Sequence, residues 1–336
     1  MKKVGKIFGD FIFSPYLCTR NQAIFRLQRK LGYGVMVTLQ ILVLPFLVRV
    51  RVSQHRRAQS FIRLRFFFSK KENMKQVRPK KNLGQHFLID LSIAKRIADT
   101  VDACPELPVL EVGPGMGVLT QYLMEKPRPV KVVEIDTESV EYLNEHFPRL
   151  RENILGEDFL RMDLNKVFDG KQFVLTGNYP YDISSQIFFK MLDNKDLIPC
   201  CTGMIQREVA QRMASAPGNK AYGILSVLIQ AWYDVEYLFT VDENVFNPPP
   251  KVKSAVIRMT RNDVTDLGCD EQLFKRVVKT VFNQRRKMLR VSLRQIFSGR
   301  EVSPDFYQHE VMTRRPEQLS VAEFVDLTNL VASQLA

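Results

Sequence analysis

The residues best placed to do chemistry are Asn178-Tyr179-Pro180-Tyr181, which follow directly on the apolar run 173–177. An amide oxygen accepts a hydrogen bond from an amine, and an aromatic ring stacks on a flat heterocycle. Together they suit capture of the exocyclic nitrogen of a nucleobase. Taken alone, the four residues favour the plainer reading, a polar turn closed by proline. A second group is Gly113-Pro114-Gly115-Met116-Gly117, with Glu111 two residues ahead of it. Glycines let a ligand approach the backbone, and a helix that follows offers free amides. The spacing is G-x-G-x-G, not the G-x-G-x-x-G of dinucleotide folds. A carboxylate at 111 is badly placed for a pyrophosphate and suits a ligand carrying an ammonium or sulfonium group. The alternative is a tight turn that binds nothing. Glu134, about twenty residues beyond the glycines, occupies the position where nucleoside-binding folds hold ribose hydroxyls. Asp158 can accept from an adenine amine; on its own it reads as a solvated loop acid or a helix cap.

Those groups need elements to position them. Short apolar runs at 109–112, 130–133, 154–155 and 173–177 read as buried strands, and 203–206 as a fifth. Helical spacing separates them: Ile93, Ile97 and Val101 before the first strand, residues 118–123 after the glycines, and Val140, Leu143 and Phe147 after the second strand. Ile187, Phe188, Met191 and Leu192 form the apolar face of a helix after the tyrosine motif, and read as core. Gly113, Glu134, Asp158 and Asn178 thus stand past the carboxyl ends of four successive strands. In an open α/β sheet those ends line one crevice, so four polar placements in order indicate one shared site.

Composition limits the partners. The net charge of +13 suggests an anionic partner, but residues 1–73 hold 15 Lys and Arg against two acids. Subtraction from totals of 49 and 36 leaves 34 basic and 34 acidic residues in 74–336. Nucleic-acid binding by the body therefore requires local clusters, and Arg285-Arg286-Lys287-Met288-Leu289-Arg290 with Arg294 supplies one. Its interleaved apolar residues suit a helix with one face on phosphate and one on the domain; the alternative is an ordinary solvated face. Lys220, in the loop 216–220, is a phosphate contact or a solvated charge. The five cysteines show no C-x-x-C pair and no ligand spacing with histidine, so neither a metal site nor a disulfide framework is expected. The apolar run 31–48, broken by Gln40 and Pro45, borders on a membrane span. Three readings of residues 1–73 remain open: a start assigned upstream of Met74, a membrane anchor, or a transit peptide, with the first preferred.

The stretches NLGQHFL, LEVGPGMGVLT, VEIDTE, GNYPYDISSQI, FNPPPKVKSAVIR and RRKMLRVSL resemble the KsgA-type small-subunit ribosomal RNA adenine dimethyltransferases. The similarity runs in order from about Arg78 to the C-terminus and leaves residues 1–73 without a counterpart. It implies an α/β class I methyltransferase fold: a Rossmann-like, mostly parallel seven-stranded sheet with a small C-terminal helical domain. Runs 235–239 and 254–258 then resemble the last two strands. Between them lies the rigid loop 246–250, where Phe246 is a second base-stacking ring or a core anchor. The division expected is an extension 1–73, a methyltransferase domain 74–262 and a helical RNA-binding domain 263–336. The resemblance implies S-adenosylmethionine (AdoMet) as cofactor, without a metal. His86 and Leu88 close over it, Gly113 lies under its methionine part, Glu134 takes the ribose and Asp158 the adenine. Asn178 borders cofactor and target base, and Tyr181 stacks on that base. The implied activity is N6,N6-dimethylation of two adjacent adenines near the 3′ end of 16S rRNA within the small subunit or its precursor, by a cytoplasmic monomer whose body has no membrane partner. Alternatives are an Erm-type enzyme acting on 23S rRNA and a non-catalytic ribosome-assembly factor. Two departures stand out. Tyr179 replaces the usual leucine, and Glu157 replaces the glycine before Asp158.

Overall fold

The computed structural model describes the backbone of residues 6–8, 11–19, 22–30 and 36–43, then residues 77, 79–80 and 83–335. The first unit, residues 1–75, contains four antiparallel strands in sequential order, Lys6–Phe8, Phe11–Thr19, Gln22–Lys30 and Met36–Val43. The apolar run 31–48 is covered there only at 36–43, and its remainder lies outside the described residues. No helix among the described residues is long and apolar enough to cross a membrane.

Residues 76–336 form the second unit. Its sheet contains β1 Val109–Val112, β2 Val130–Val133, β3 Ile154–Leu155, β4 Val174–Asn178, β5 Cys200–Gln206, β6 Tyr233–Val241 and β7 Ser254–Arg261. The spatial order is β6-β7-β5-β4-β1-β2-β3, with β7 antiparallel to both neighbours and the other pairings parallel. Parallel strands between two helical layers are buried on both faces, and β1, VLEV, is buried at every position, Glu111 included. Its side chains nevertheless alternate. Val109, Val174, Cys200 and Val256 join one core, with α1 (Leu91–Asp99), α2 (Thr120–Leu123) and α3 (Thr137–His146). Leu110, Leu175, Cys201 and Ile257 join the other, beneath α4 (Ser184–Asp193) and α5 (Ile224–Gln230). Asp90 starts α1 by accepting from the amides of Ser92 and Ile93, and Ala94, Ile97 and Ala98 form its buried face.

The second core extends without a break into α6 (Glu271–Asn283) and α8 (Val321–Ala332), through Phe274, Val277, Val281, Phe324 and Leu327. The basic cluster departs from its expected form. Arg285, Arg286 and Lys287 occupy the turn after α6, and α7 spans only Leu289–Ser292. Beyond the turn Leu289, Ser292 and Leu293 are buried, while Arg286, Lys287, Arg290 and Arg294 are exposed.

Candidate active site

A cavity of about 260 Å³ opens at the carboxyl ends of β1, β2 and β4, and Gly113, Glu134, Asp158 and Asn178 all line it. At the end of β1, Gly113 has φ +67° and its amide donates to Val133 O. A side chain at Gly113 would touch only Pro180, at 3.8 Å, so the space above it is open to a ligand. Gly115 has φ +55°, which favours glycine, and a Cβ there would stand 2.9 Å from the Phe87 ring. The glycine turn is therefore bare enough for the segment 83–88 to close over it.

Glu134, 5% exposed, holds the turn from β2. Its Oε2 accepts from Gly115 N at 3.0 Å and its Oε1 from Asp136 N at 2.9 Å. Burial drives its pKa above the ordinary carboxylate value despite those two bonds. Each oxygen retains a lone pair for a further donor. Glu111 lies deeper, 1% exposed, and accepts from Thr120 Oγ1 at 2.6 Å. Asp158 serves as a local cap and also lines the cavity. Its Oδ1 caps Leu160 N at 2.9 Å, and its Oδ2 lies 3.4 Å from Arg161 Nε at the cavity wall.

The tyrosine motif is built from two directions. Asn178 Nδ2 donates to His86 O at 3.1 Å. A carbonyl only accepts, so this bond fixes the amide orientation and leaves Oδ1 facing away from it. Neither Asn178 Oδ1 nor Tyr179 O receives a hydrogen bond among the described residues. Tyr179 directs its ring into the core: it is 1% exposed, meets Phe188 edge-on at 5.6 Å, and donates from its hydroxyl to Thr202 O at 3.0 Å. Room for the ring comes from Gly203, where a Cβ would stand 2.7 Å from Tyr179 Cε2. The residue larger than the usual leucine is thus matched by a missing side chain on β5. Tyr181 stacks against His86, with centroids 5.6 Å apart and an interplanar angle of 28°, and its hydroxyl meets Ser254 Oγ.

His86 is held by its Nδ1 contact to Pro248 O at 2.8 Å. Leu88 lines the cavity, but its side chain is 5% exposed and packs into the core beneath α1. Its strand partner is Phe246, 3% exposed in the same core, so Phe246 anchors the loop and is not an exposed stacking ring. Lys80 ties down the start of the segment through Asp136 and Glu138. Sequence reasoning missed Thr120, Ser254 and Gly203. Only Ser254, just after the Pro-Pro-Pro-Lys loop, carried a local signal.

Residues 76–333 match the family model described as ribosomal RNA adenine dimethylase. The chain belongs to the ribosomal RNA adenine dimethylase family. Within this dimethylase family, it is 70% identical over 260 residues to a protein from Phocaeicola vulgatus named Ribosomal RNA small subunit methyltransferase A, covering 77% of this chain and 91% of that one. A Porphyromonas gingivalis protein of the same name is 59% identical, over 77% and 99%. Two solved structures give the wider setting. The 23S rRNA methyltransferase ErmE is 29% identical with a TM-score of 0.53, over 71% of this chain and 99% of that one. A dimethyladenosine transferase from Plasmodium falciparum, 22% identical with a TM-score of 0.62 over 74% and 98%, shares the fold. The expected class I methyltransferase architecture is thus borne out by strand order and neighbours together. Among the described residues, no group of three or more His, Cys, Asp or Glu side chains is arranged to hold a metal ion.

Proposed function

We propose that this dimethylase transfers methyl groups from AdoMet to N6 of two adjacent adenines in a hairpin loop near the 3′ end of 16S rRNA. The observation that carries the chemistry is the pair of unpaired acceptors, Asn178 Oδ1 and Tyr179 O, at the cavity. The choice of the small over the large subunit rests on the names of relatives 59–70% identical, against 29% for ErmE. The two free acceptors argue against the non-catalytic alternative.

The residues present fit AdoMet. The space above Gly113 is open, Glu134 offers lone pairs for ribose hydroxyls, and the carboxylates of Glu111 and Glu134 suit a cationic ligand. When bound, AdoMet supplies a methyl group already activated by its sulfonium. Adenine N6 is a poor nucleophile because its lone pair is delocalised into the ring. Asn178 Oδ1 and Tyr179 O accept its two N–H bonds and favour a nitrogen whose lone pair points out of the base plane. Pro180 biases Tyr179 towards an extended backbone, which directs its carbonyl. Both acceptors are weak bases, so they orient the amine and do not remove its proton; the methylated nitrogen, cationic once the bond to it has formed, would lose that proton to solvent. Tyr181, braced by His86, stacks on the extruded base. Positioning and electrostatics carry the rate. Asp158 receives the cofactor adenine, and His86 and Leu88 close the wall. The exposed Arg286, Lys287, Arg290 and Arg294 of the C-terminal helical domain meet phosphate. The enzyme acts as a cytoplasmic monomer on the small subunit or its precursor.

The test is methyl transfer from labelled AdoMet to unmethylated small or large subunits, followed by mapping of the labelled nucleotides. Label on two adjacent small-subunit adenines is the expected result. Label on the large subunit, or on neither, overturns the proposal.

A further inference from the structure

Asp158 is delivered by the shortest strand of the sheet. That strand, β3, has two residues and a single neighbour, and it lies at the edge. The turn beyond it has bonds of its own: Asp158 O accepts from the amides of Arg161 and Met162, both at 3.0 Å. The carbonyls of Leu160 and Met162 receive no backbone amide among the described residues. One side chain from another element takes both. Lys190, on α4, donates from Nζ to Leu160 O at 3.1 Å and to Met162 O, and its ammonium lies 5.6 Å from the centre of the Phe159 ring. Asp158, Phe159 and Leu160 line the cavity and Lys190 does not, so the ammonium grips the wall from behind. Burial lowers the Lys190 pKa, and the charges of Asp158 and Asp163 act against that. A second lysine, Lys131 on β2, makes the same kind of contact farther along this connection, donating to Val167 O at 2.6 Å beside the Phe168 ring. Val167 does not line the cavity.

We propose that Lys190 is a positioning residue for the methyl donor: it holds the turn 158–162 so that Asp158 meets the adenine amine of AdoMet, without touching the cofactor itself. The inference deepens the proposed function and rests on it. A lysine ammonium has three donors and no acceptor, so it can clasp two carbonyls at once. Removing it leaves two part-buried carbonyls unpaired, and the turn must move to hydrate them. The displacement falls on Asp158, whose Oδ1 caps Leu160 N within the same turn. Because Asp158 serves the amine, its displacement weakens ligands that carry adenine and spares those that lack the amine. The helix α4 begins at Ser184, so the element that follows the target-base motif also holds the adenine wall.

Titration calorimetry of the full chain compares S-adenosylhomocysteine, which AdoMet becomes on losing its methyl group, with S-inosylhomocysteine, whose base carries a carbonyl oxygen in place of the amine. The wild type should prefer the adenine compound by more than about tenfold, because the inosine oxygen would face a carboxylate. Lys190→Met keeps the length of the side chain and removes the ammonium. It should narrow that preference by about tenfold, raise KM for AdoMet by about the same factor, and leave kcat at saturating AdoMet within about threefold. Lys190→Arg keeps the charge and the donors, and should restore the preference to within about threefold of wild type. Lys131→Met is the control for simple loosening: it should lower the melting temperature and leave the preference within about twofold. An unchanged preference in Lys190→Met overturns the inference, and so does equal narrowing in Lys131→Met. If Lys190→Met does not fold, Lys190→Gln, which reaches less far and carries no charge, takes its place under the same criterion. A wild type that binds neither compound, or both equally, instead overturns the account of the cofactor site in the proposed function.

Discussion

Asn178→Ala separates positioning of the target amine from binding of the cofactor. The substitution removes two things seen in the structure, the Nδ2 bond to His86 O at 3.1 Å and the unpaired Oδ1 acceptor. The first is a neutral, half-buried hydrogen bond with a net worth of about 1 kcal/mol, so melting should occur about 2–4 °C lower for a body of this size. AdoMet affinity should change by less than about tenfold, the scale of one such bond. The second loss falls on the reaction itself. A positioned hydrogen-bonding group at a reacting centre is worth about 10²–10³ in kcat. Tyr179 O survives the substitution, so turnover should fall by that factor and not to the uncatalysed rate. The assay is single-turnover transfer of labelled methyl to unmethylated small subunits, with AdoMet binding measured on the same preparation. Turnover within tenfold of wild type would refute the assignment. So would a loss of AdoMet binding large enough to account for the whole defect.

Other outcomes follow from the packing and the buried acids. The Glu111 carboxyl, raised by burial from 4.5 to about 8, stabilises the fold fully below pH 4.5, and the contribution is lost as pH rises through 8. The melting temperature of the cofactor-free protein should therefore decline from pH 5 to 8, at up to about 1.4 kcal/mol per pH unit, and Glu111→Gln should flatten that slope. At Gly203, where φ is +149°, an alanine Cβ would stand 2.3 Å from Gly177 O and 2.7 Å from the Tyr179 ring. Gly203→Ala should cost on the order of 3 kcal/mol in denaturant unfolding. As a core anchor, Phe246 should cost about 3–5 kcal/mol when cut to alanine. Phe246→Leu should leave methyl transfer within about threefold, whereas a tenfold loss with the fold intact would give the ring a stacking role.

The strands at 109–112, 130–133 and 154–155 were legible residue for residue because each is a short, β-branched or aliphatic-rich run bounded by turn residues, even though Glu111 and Lys131 interrupt two of them. β5 begins at Cys200, three residues ahead of its expected start, because Cys-Cys-Thr lacks a β-branched run. The crevice was legible as well, since strand ends follow from strand order. What escaped were contacts across long stretches of sequence. Asn178 is oriented by a carbonyl 92 positions away, and the stack of Tyr181 on His86 has no local signature. Phe246 was undecided because its burial depends on Leu88, and the basic cluster was read as one helix because charge spacing alone does not reveal the turn at 285–287. The tyrosine at 179 looked like a departure at the reactive motif. Its ring lies in the core, and its carbonyl receives no hydrogen bond among the described residues.

The segment that closes over the glycine turn has a consequence for the order in which the protein matures. His86 is fastened to Pro248, 162 positions later, and Leu88 to Phe246. As the chain leaves the ribosome, residues 83–88 emerge before the rest of the crevice lining and wait for their fastening until more than two thirds of the chain is made. A nascent chain ending near residue 240 already has Gly113, Glu134, Asp158 and Asn178, yet lacks the contacts that hold the carbonyl orienting the Asn178 amide. The cavity wall beside Asn178 is thus among the last parts of the body to be completed, and losing residues 246–248 should release a segment synthesised long before.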